Sequence, residues 1–349
     1  MKNIGLTIIF SLFLIQTTKA DQLEKYYSEI NNAELSITAH DYKMAINYYD
    51  TAFKNKQEPF ARDIYNQTIC YIRNNDFREA ITNCFALAEK GTGADFFQNN
   101  IVFSPLRQQS QWRQLLKTAE LKKAALDHKN KVLNKKLNTL YHTDQTAHIL
   151  LRSMTAQNED SITHYVKNVD DSLSGILMDI FDHNGFISEF NWGVTLNENF
   201  EIKNMPDFYL IMLHNFQGIQ RHDSLFAPVL RKAVLNGKIK PEIYAFMLDN
   251  NCKDFKTFNG TVMMYVFYQG KLYVQKYCDS LEIKKQINHQ RKSLMLPVLD
   301  DYLKKIEFNL NEPGNKFLIY APCSKIGSIR DNTSEQAFLK GLKLIRSKF

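Results

Sequence analysis

The feature that most limits how this chain can fold is an internal repeat. The segments HDYKMAINYYDTAF and NDFREAITNCFALA match in residue type at Asp41 and Asp76, Tyr42 and Phe77, Ala45 and Ala80, and Ile46 and Ile81, a spacing of 35 residues. A repeat of that length, apolar at helical spacing, is one helical hairpin, and each hairpin buries its apolar face only against a neighbour. Ala45 and Ala80 let paired helices approach closely, while Tyr42, Tyr49, Tyr71 and Phe77 fill the space between hairpins. These positions pack; they carry no chemistry. Two units fall short of the roughly three that such an array needs. The stretch FFQNNIVFSPLRQQSQWRQLL supplies a degenerate third through Phe96, Phe97, Phe103, Leu106, Trp112 and Leu115.

In period and pattern the repeat resembles the tetratricopeptide family. That resemblance implies stacked helical hairpins over residues 21–116 with a concave face that binds an extended peptide, so a protein or peptide partner is expected. From Leu115 to Leu140 a Lys-, Leu- and Ala-rich stretch runs without Pro or Gly and predicts a connecting helix over 117–140. An α-rich domain is expected over 141–310, then a C-terminal strand in NKFLIYAPCS and a basic helix capped by Ser334 and running through Ile345, over 311–349.

Residues 1–20 have the form of a secretory signal: Lys2, an apolar core from Ile4 to Ile15, then Thr18 and Ala20 before a cut at Asp21. The core is too short for a membrane span, which needs about 20 apolar residues. The expectation is export to the periplasm or beyond, with no transmembrane segment after signal removal. The net charge of +7 falls to +5 without Lys2 and Lys19, and it is spread among many acids, so no nucleic-acid partner is expected. Lysines concentrate only between Lys117 and Lys136, as on a solvated helix face. Five cysteines, Cys70, Cys84, Cys252, Cys278 and Cys323, are odd in number and widely spaced, so they describe no disulfide scaffold and no zinc motif. Cys70 and Cys84 fall on one predicted hairpin, where a bond requires Cα atoms within about 7 Å.

From Met205 to Tyr302 the signals come in a definite order. Pro206 to Gln217 reads as a largely buried helix containing His214. Ser224 caps a second helix that Gly237 stops, and Pro241 opens a third that reaches about Leu248. Around Gln269-Gly270 the enrichment in Tyr, Val and Phe predicts two short strands in a hairpin near Val262 to Tyr277. Upstream, Val169 to Phe181 is an amphipathic helix ending near Gly185.

This order of His214, Asn259-Gly260-Thr261 and INHQRKSLMLPVLDDY resembles a family of bacterial proteins known only as a domain of unknown function. The residues that match its pattern are Asp144, Gln145, His214, Asp249, Gly260, Thr261, Arg291 and Tyr302. The chain departs from it with His148 for Arg, Leu213 for Gln, Asn250 for Arg and Val262 for Gln. The resemblance implies a site built from His214, Asp144, Thr261 and Arg291, an acid–base or anion-binding constellation. The competing reading makes His214 a satisfied core histidine, Gly260 a backbone turn, Arg291 a partner for a helix end or Asp300, and Tyr302 a core cover. His183, His222-Asp223 and Asp249 also follow the order of metal phosphohydrolases of the His-Asp type, but His222-Asp223 precedes its helix.

The chain has no G-x-S-x-G elbow, no phosphate-cradling glycine loop and no H-E-x-x-H helix, and Cys252 has no nucleophile signature. The expected fold is mainly α: tetratricopeptide-like helical hairpins followed by an α-rich domain with a small β-hairpin. The expected role is an exported interaction or scaffold protein, without cofactor or metal, more a binding protein than an enzyme. The alternative is a small hydrolase or ligand-binding enzyme around His214.

Overall fold

The computed structural model describes residues 3–155, 157–217, 224–250, 260–261, 263–268, 271–275, 281–321, 323–325 and 342–346. His222-Asp223, Cys252, Asn259, Val262, Gln269-Gly270, Cys278 and Ser334 lie outside them. The chain is mainly helical, and no helix among the described residues is long and apolar enough to cross a membrane.

The first helices are α1 (Asn3–Thr38), α2 (Tyr42–Lys54), α3 (Ala61–Arg73) and α4 (Phe77–Glu89). Helix α1 packs on α2, and α3 on α4, as two successive hairpins. The repeat extends to the turns. His40 and Asn75 both hold φ 59°. After each helix the residue beyond reaches five back, Asp41 N–H to Ser36 O and Asp76 N–H to Tyr71 O, both 2.9 Å. Inside that bond His40 N–H reaches Ile37 O and Asn75 N–H reaches Ile72 O, which together close the preceding helix in a Schellman motif. The same aspartates cap the following helix, Asp41 accepting from Met44 N–H and Asp76 from Glu79 N–H. Ala45 and Ala80 are fully buried at the close approach that the spacing predicts.

Helix α5 (Ala94–Asn99), a 3-10 turn over Ile101–Leu106 and α6 (Trp112–Lys129) follow. Phe96, Phe97, Phe103, Leu106, Trp112 and Leu115 are all buried in the same core as the two hairpins. The connecting helix expected over 117–140 is instead two helices, α6 and α7 (Lys131–Leu150), broken at Asn130. The break has a tertiary cause. Asn130 donates its amide to the carbonyls of Asn191 and Trp192, a loop 61 residues away. Cys70 and Cys84 are free and buried, and burial pushes both thiols far up.

A second core forms from α7, α8 (Glu159–Asn184), α9 (Tyr209–Gln217), α10 (Ala227–Leu235) and α11 (Pro241–Asp249), with Leu137, Leu177, Met212, Leu230 and Met247 at its centre. Gly185 ends α8 at φ 71°. Gly237, at φ 63°, closes α10 in another Schellman motif through Lys238 N–H to Ala233 O.

Two further helices, α12 (Leu281–Ser293) and α13 (Leu299–Asn311), accompany four strands: β1 (Met263–Tyr268), β2 (Lys271–Gln275), β3 (Cys323–Lys325) and β4 (Leu342–Arg346). They form one sheet in the order β3-β1-β2-β4, with β1 antiparallel to β2, β3 parallel to β1 and β4 antiparallel to β2. Two corrections follow. The sheet exceeds the single hairpin expected from sequence, and the basic terminal segment at 342–346 is a strand, not a helix. The strand expected in NKFLIYAPCS is confined to its end, because the preceding residues lie along α3 instead.

That extended stretch joins the two halves. Leu318 N–H donates to Asn66 Oδ1 at 2.7 Å, and Asn66 Nδ2 donates back to Leu318 O at 3.2 Å. Phe317 stacks on Tyr42 and Ile319 enters the repeat core. The ten residues Ala61 to Cys70 of α3 are consequently buried all round, polar ones included.

Candidate functional site

Of the four residues expected to form a site, the structure brings two together. Asp144 lies on α7, fully buried, and its Oδ1 is 2.8 Å from His214 Nδ1 on α9. Gln145 Nε2 donates to the other carboxylate oxygen, also at 2.8 Å. One turn along α7, on the same face, is His148, since residues four apart on a helix are neighbours. Its Nε2 is 3.0 Å from Asp170 Oδ1 on α8. The two imidazole rings stack on each other, with centroids 3.5 Å apart and planes at 21°. One ligating atom from each of Asp144, His148, Asp170 and His214 lies within 4.8 Å of the others. Asp144 is sealed off, while the side chains of His148, Asp170 and His214 keep 21, 19 and 14% of their surface exposed.

The electrostatics are constrained. Burial pulls His148 down, but the hydrogen bond and charge of Asp170, with the charge of Asp144, outweigh it and leave its pKa above the ordinary value. Each imidazole is hydrogen-bonded to one carboxylate, so the cluster alternates two stacked rings with two carboxylates. A cation-binding or proton-exchanging centre is what this arrangement can be.

Thr261 and Arg291 belong to a different constellation. Asp249 Oδ2 accepts from the Thr261 N–H at 2.7 Å and its hydroxyl at 2.5 Å, and Tyr302 donates its hydroxyl to Thr261 O at 3.1 Å. Arg291 lies over the Tyr302 ring, 4.6 Å from its centroid, and its Nε donates to Pro297 O just before α13. Gly260 stands at φ 69°, where an added Cβ would come 3.1 Å from Leu299. Arg291, Thr261 and Tyr302 are all buried, and burial pulls the guanidinium down to about 10. Asp249, Gly260, Thr261, Arg291 and Tyr302 thus form one buried knot that fastens α11, α12 and α13. The site residues expected together are divided between a His/Asp centre and this structural knot.

Of the His-Asp hydrolase order, His222-Asp223 lies outside the described residues, Asp249 accepts from Thr261, and His183 Nδ1 pairs with Asp179 O on its own helix. The sequence singles out His148 only as a departure from the family pattern, and Asp170 not at all. The available signal was the four-residue spacing of Asp144 and His148, which puts a carboxylate and an imidazole on one helix face.

A third polar assembly carries no motif at all. Arg62 and Asp63 of α3 meet Glu34 of α1, Lys240 and Glu242 at the start of α11, and Lys305 of α13. Lys240 Nζ is 2.6 Å from Asp63, Lys305 Nζ 2.6 Å from Glu34, Arg62 pairs with Glu242, and Tyr26 donates to Asp63 at 2.5 Å. The cavity beside it measures about 30 Å³, room for roughly two waters and not for a substrate. This is a buried ionic junction between the ends of the chain.

Comparison with protein-family models, curated proteins and solved structures gives no significant match to this chain.

Proposed function

We propose that this chain is an exported scaffold protein whose tetratricopeptide-like repeats are engaged first by the chain's own C-terminal part. The observation that carries this reading is the grip of Asn66 on both backbone groups of Leu318, with Phe317 and Ile319 seated on the repeat core. An extended segment thus occupies the face of α3 as a bound peptide would, using main-chain hydrogen bonds and alternate side-chain seats. A peptide partner reaches that face by displacing residues 315–320. Export is part of the proposal: a cut before Asp21 would leave in place Leu23, Tyr26, Tyr27 and Ile30, the α1 residues that enter the core.

The test compares the intact chain with Phe317→Asp for capture of a labelled peptide copying residues 311–321. Capture by the variant alone supports a face occupied in cis. Equal capture by both shows that the face is open and removes the reading. N-terminal sequencing of the secreted product tests the cut.

A second reading, a small hydrolase or ligand-binding enzyme around His214, is favoured by the 2.8 Å contact between His214 and Asp144. A buried carboxylate fixing an imidazole is the usual support for a general base. Hydrolysis of a panel of ester, amide and phosphate substrates that His214→Ala abolishes would establish it. Unchanged turnover in that variant would exclude it.

A further inference from the structure

We propose that Asp144, His148, Asp170 and His214 are the ligands of a divalent first-row transition metal, with zinc the ion that fits them best. The proposal is independent of how the repeats are used.

Its first support is geometry. Three helices deliver the donors: α7 gives Asp144 and His148, α8 gives Asp170 and α9 gives His214. One donor atom of each lies within 4.8 Å of all the others. In a tetrahedral zinc site with bonds of about 2.0–2.1 Å, neighbouring donors are about 3.3 Å apart. The pairs at 2.8 and 3.0 Å need only open slightly, and the wider ones close by about an ångström and a half.

Its second support is charge. Two carboxylates and two stacked imidazoles stand together beside an apolar helical core. A dication bound to two carboxylates and two neutral imidazoles brings the assembly to neutrality.

The chemistry of the donors selects the ion. Two imidazole nitrogens with two carboxylate oxygens suit zinc and its first-row neighbours, whereas magnesium and calcium favour all-oxygen sets. Gln145, donating to the second oxygen of Asp144, is the outer partner that fixes the buried carboxylate. Partial exposure of the other three ligands gives the ion a way in. With four protein ligands the site is closed, so the ion ties α7, α8 and α9 together as a structural clamp.

The test uses the full chain, stripped with a chelator and dialysed against zinc in the presence of excess magnesium and calcium. One zinc per chain by elemental analysis is expected. Cobalt in place of zinc should show the strong visible bands of a four-coordinate ion, and zinc should raise the thermal midpoint. His214→Ala and Asp170→Asn should each weaken zinc binding at least about tenfold, while His183→Ala, altering an exposed histidine away from the quartet, should leave it unchanged. Helicity is checked by circular dichroism. Should His214→Ala lose helicity, the part-exposed Asp170→Asn decides. Failure to retain zinc, retention unaffected by Asp170→Asn, or equal displacement by magnesium or calcium would each overturn the proposal.

Discussion

Three ammonium groups gather around one benzene ring. Lys56, Lys90 and Lys238 lie 4.1, 4.4 and 5.1 Å from the centroid of Phe190, and only Lys90 among them is paired with the neighbouring Glu189 in a contact of 3.0 Å. Burial, followed by the charge of Lys90, brings the Lys56 amine down to about 8. A lysine lowered in the folded state makes the unfolded chain the better proton binder between about 8 and the ordinary 10.5. Stability from this group therefore rises with pH across that window and is lowest below it. Lys56→Met should flatten that rise in urea midpoints measured from pH 7 to 10.5, and an unchanged slope would remove Lys56 as its source. Nothing in the sequence marks Lys56, because Phe190, Lys90 and Lys238 come from three other parts of the chain. The same limit applies at the His/Asp centre. Asp144 and His148 share a helix face and were legible as a pair, but Asp170 joins them only once α8 packs on α7. The family resemblance put Thr261 and Arg291 in one set with Asp144 and His214, yet order along the chain does not say which members meet.

At the scale of the element, the repeat was readable because its determinants are local. The turns at His40-Asp41 and Asn75-Asp76 each end one helix and begin the next within a few residues. Each cap is replaceable as a unit. Asp41→Ala and Asp76→Ala should each destabilise the fold by about 1 kcal/mol, seen as a lower urea midpoint with unchanged slope. A loss near zero would mean that packing alone sets the hairpin. The C-terminal segment behaves in the opposite way. Its residues 342–346 read as a basic helix, and they are a strand because β2 offers an edge that pairs with them. Residues 315–321 read as a strand, and most of them lie against α3. Neither partner is near in sequence, and tertiary pairing outweighs weak local preference. Asn66 is the residue that makes this placement specific. Asn66→Ala removes both bonds to Leu318 and leaves two half-buried backbone groups without that partner, so it should cost about 1–2 kcal/mol. Asn66→Asp retains only the acceptor and should recover part of that loss.

The whole molecule is closed by the junction of Glu34, Arg62 and Asp63 with Lys240, Glu242 and Lys305, which fixes the repeats to the helices that follow. Charges this deeply buried contribute little net stability as pairs, but removing one partner strands the other, typically at about 3–5 kcal/mol. Lys240→Met alone should therefore be severe, and Lys240→Met with Asp63→Leu should lose less than the sum of the two single changes. Additivity in that cycle would mean that Lys240 and Asp63 are not coupled. The junction also sets how the chain responds to acid. Burial pushes the Glu242 carboxyl up, but the charges of Arg62 and Lys240 outweigh it and hold it down to about 2. A carboxylate lowered on folding adds stability that is full above its ordinary value of 4.5 and is lost as pH falls toward 2. Glu242→Gln removes the titration while keeping a hydrogen-bond acceptor near Arg62. The difference in urea midpoint between parent and variant should be widest above pH 4.5 and close progressively toward pH 2. A constant difference over that range would show that Glu242 acts through packing, with the ion pair to Arg62 contributing nothing that protonation can undo.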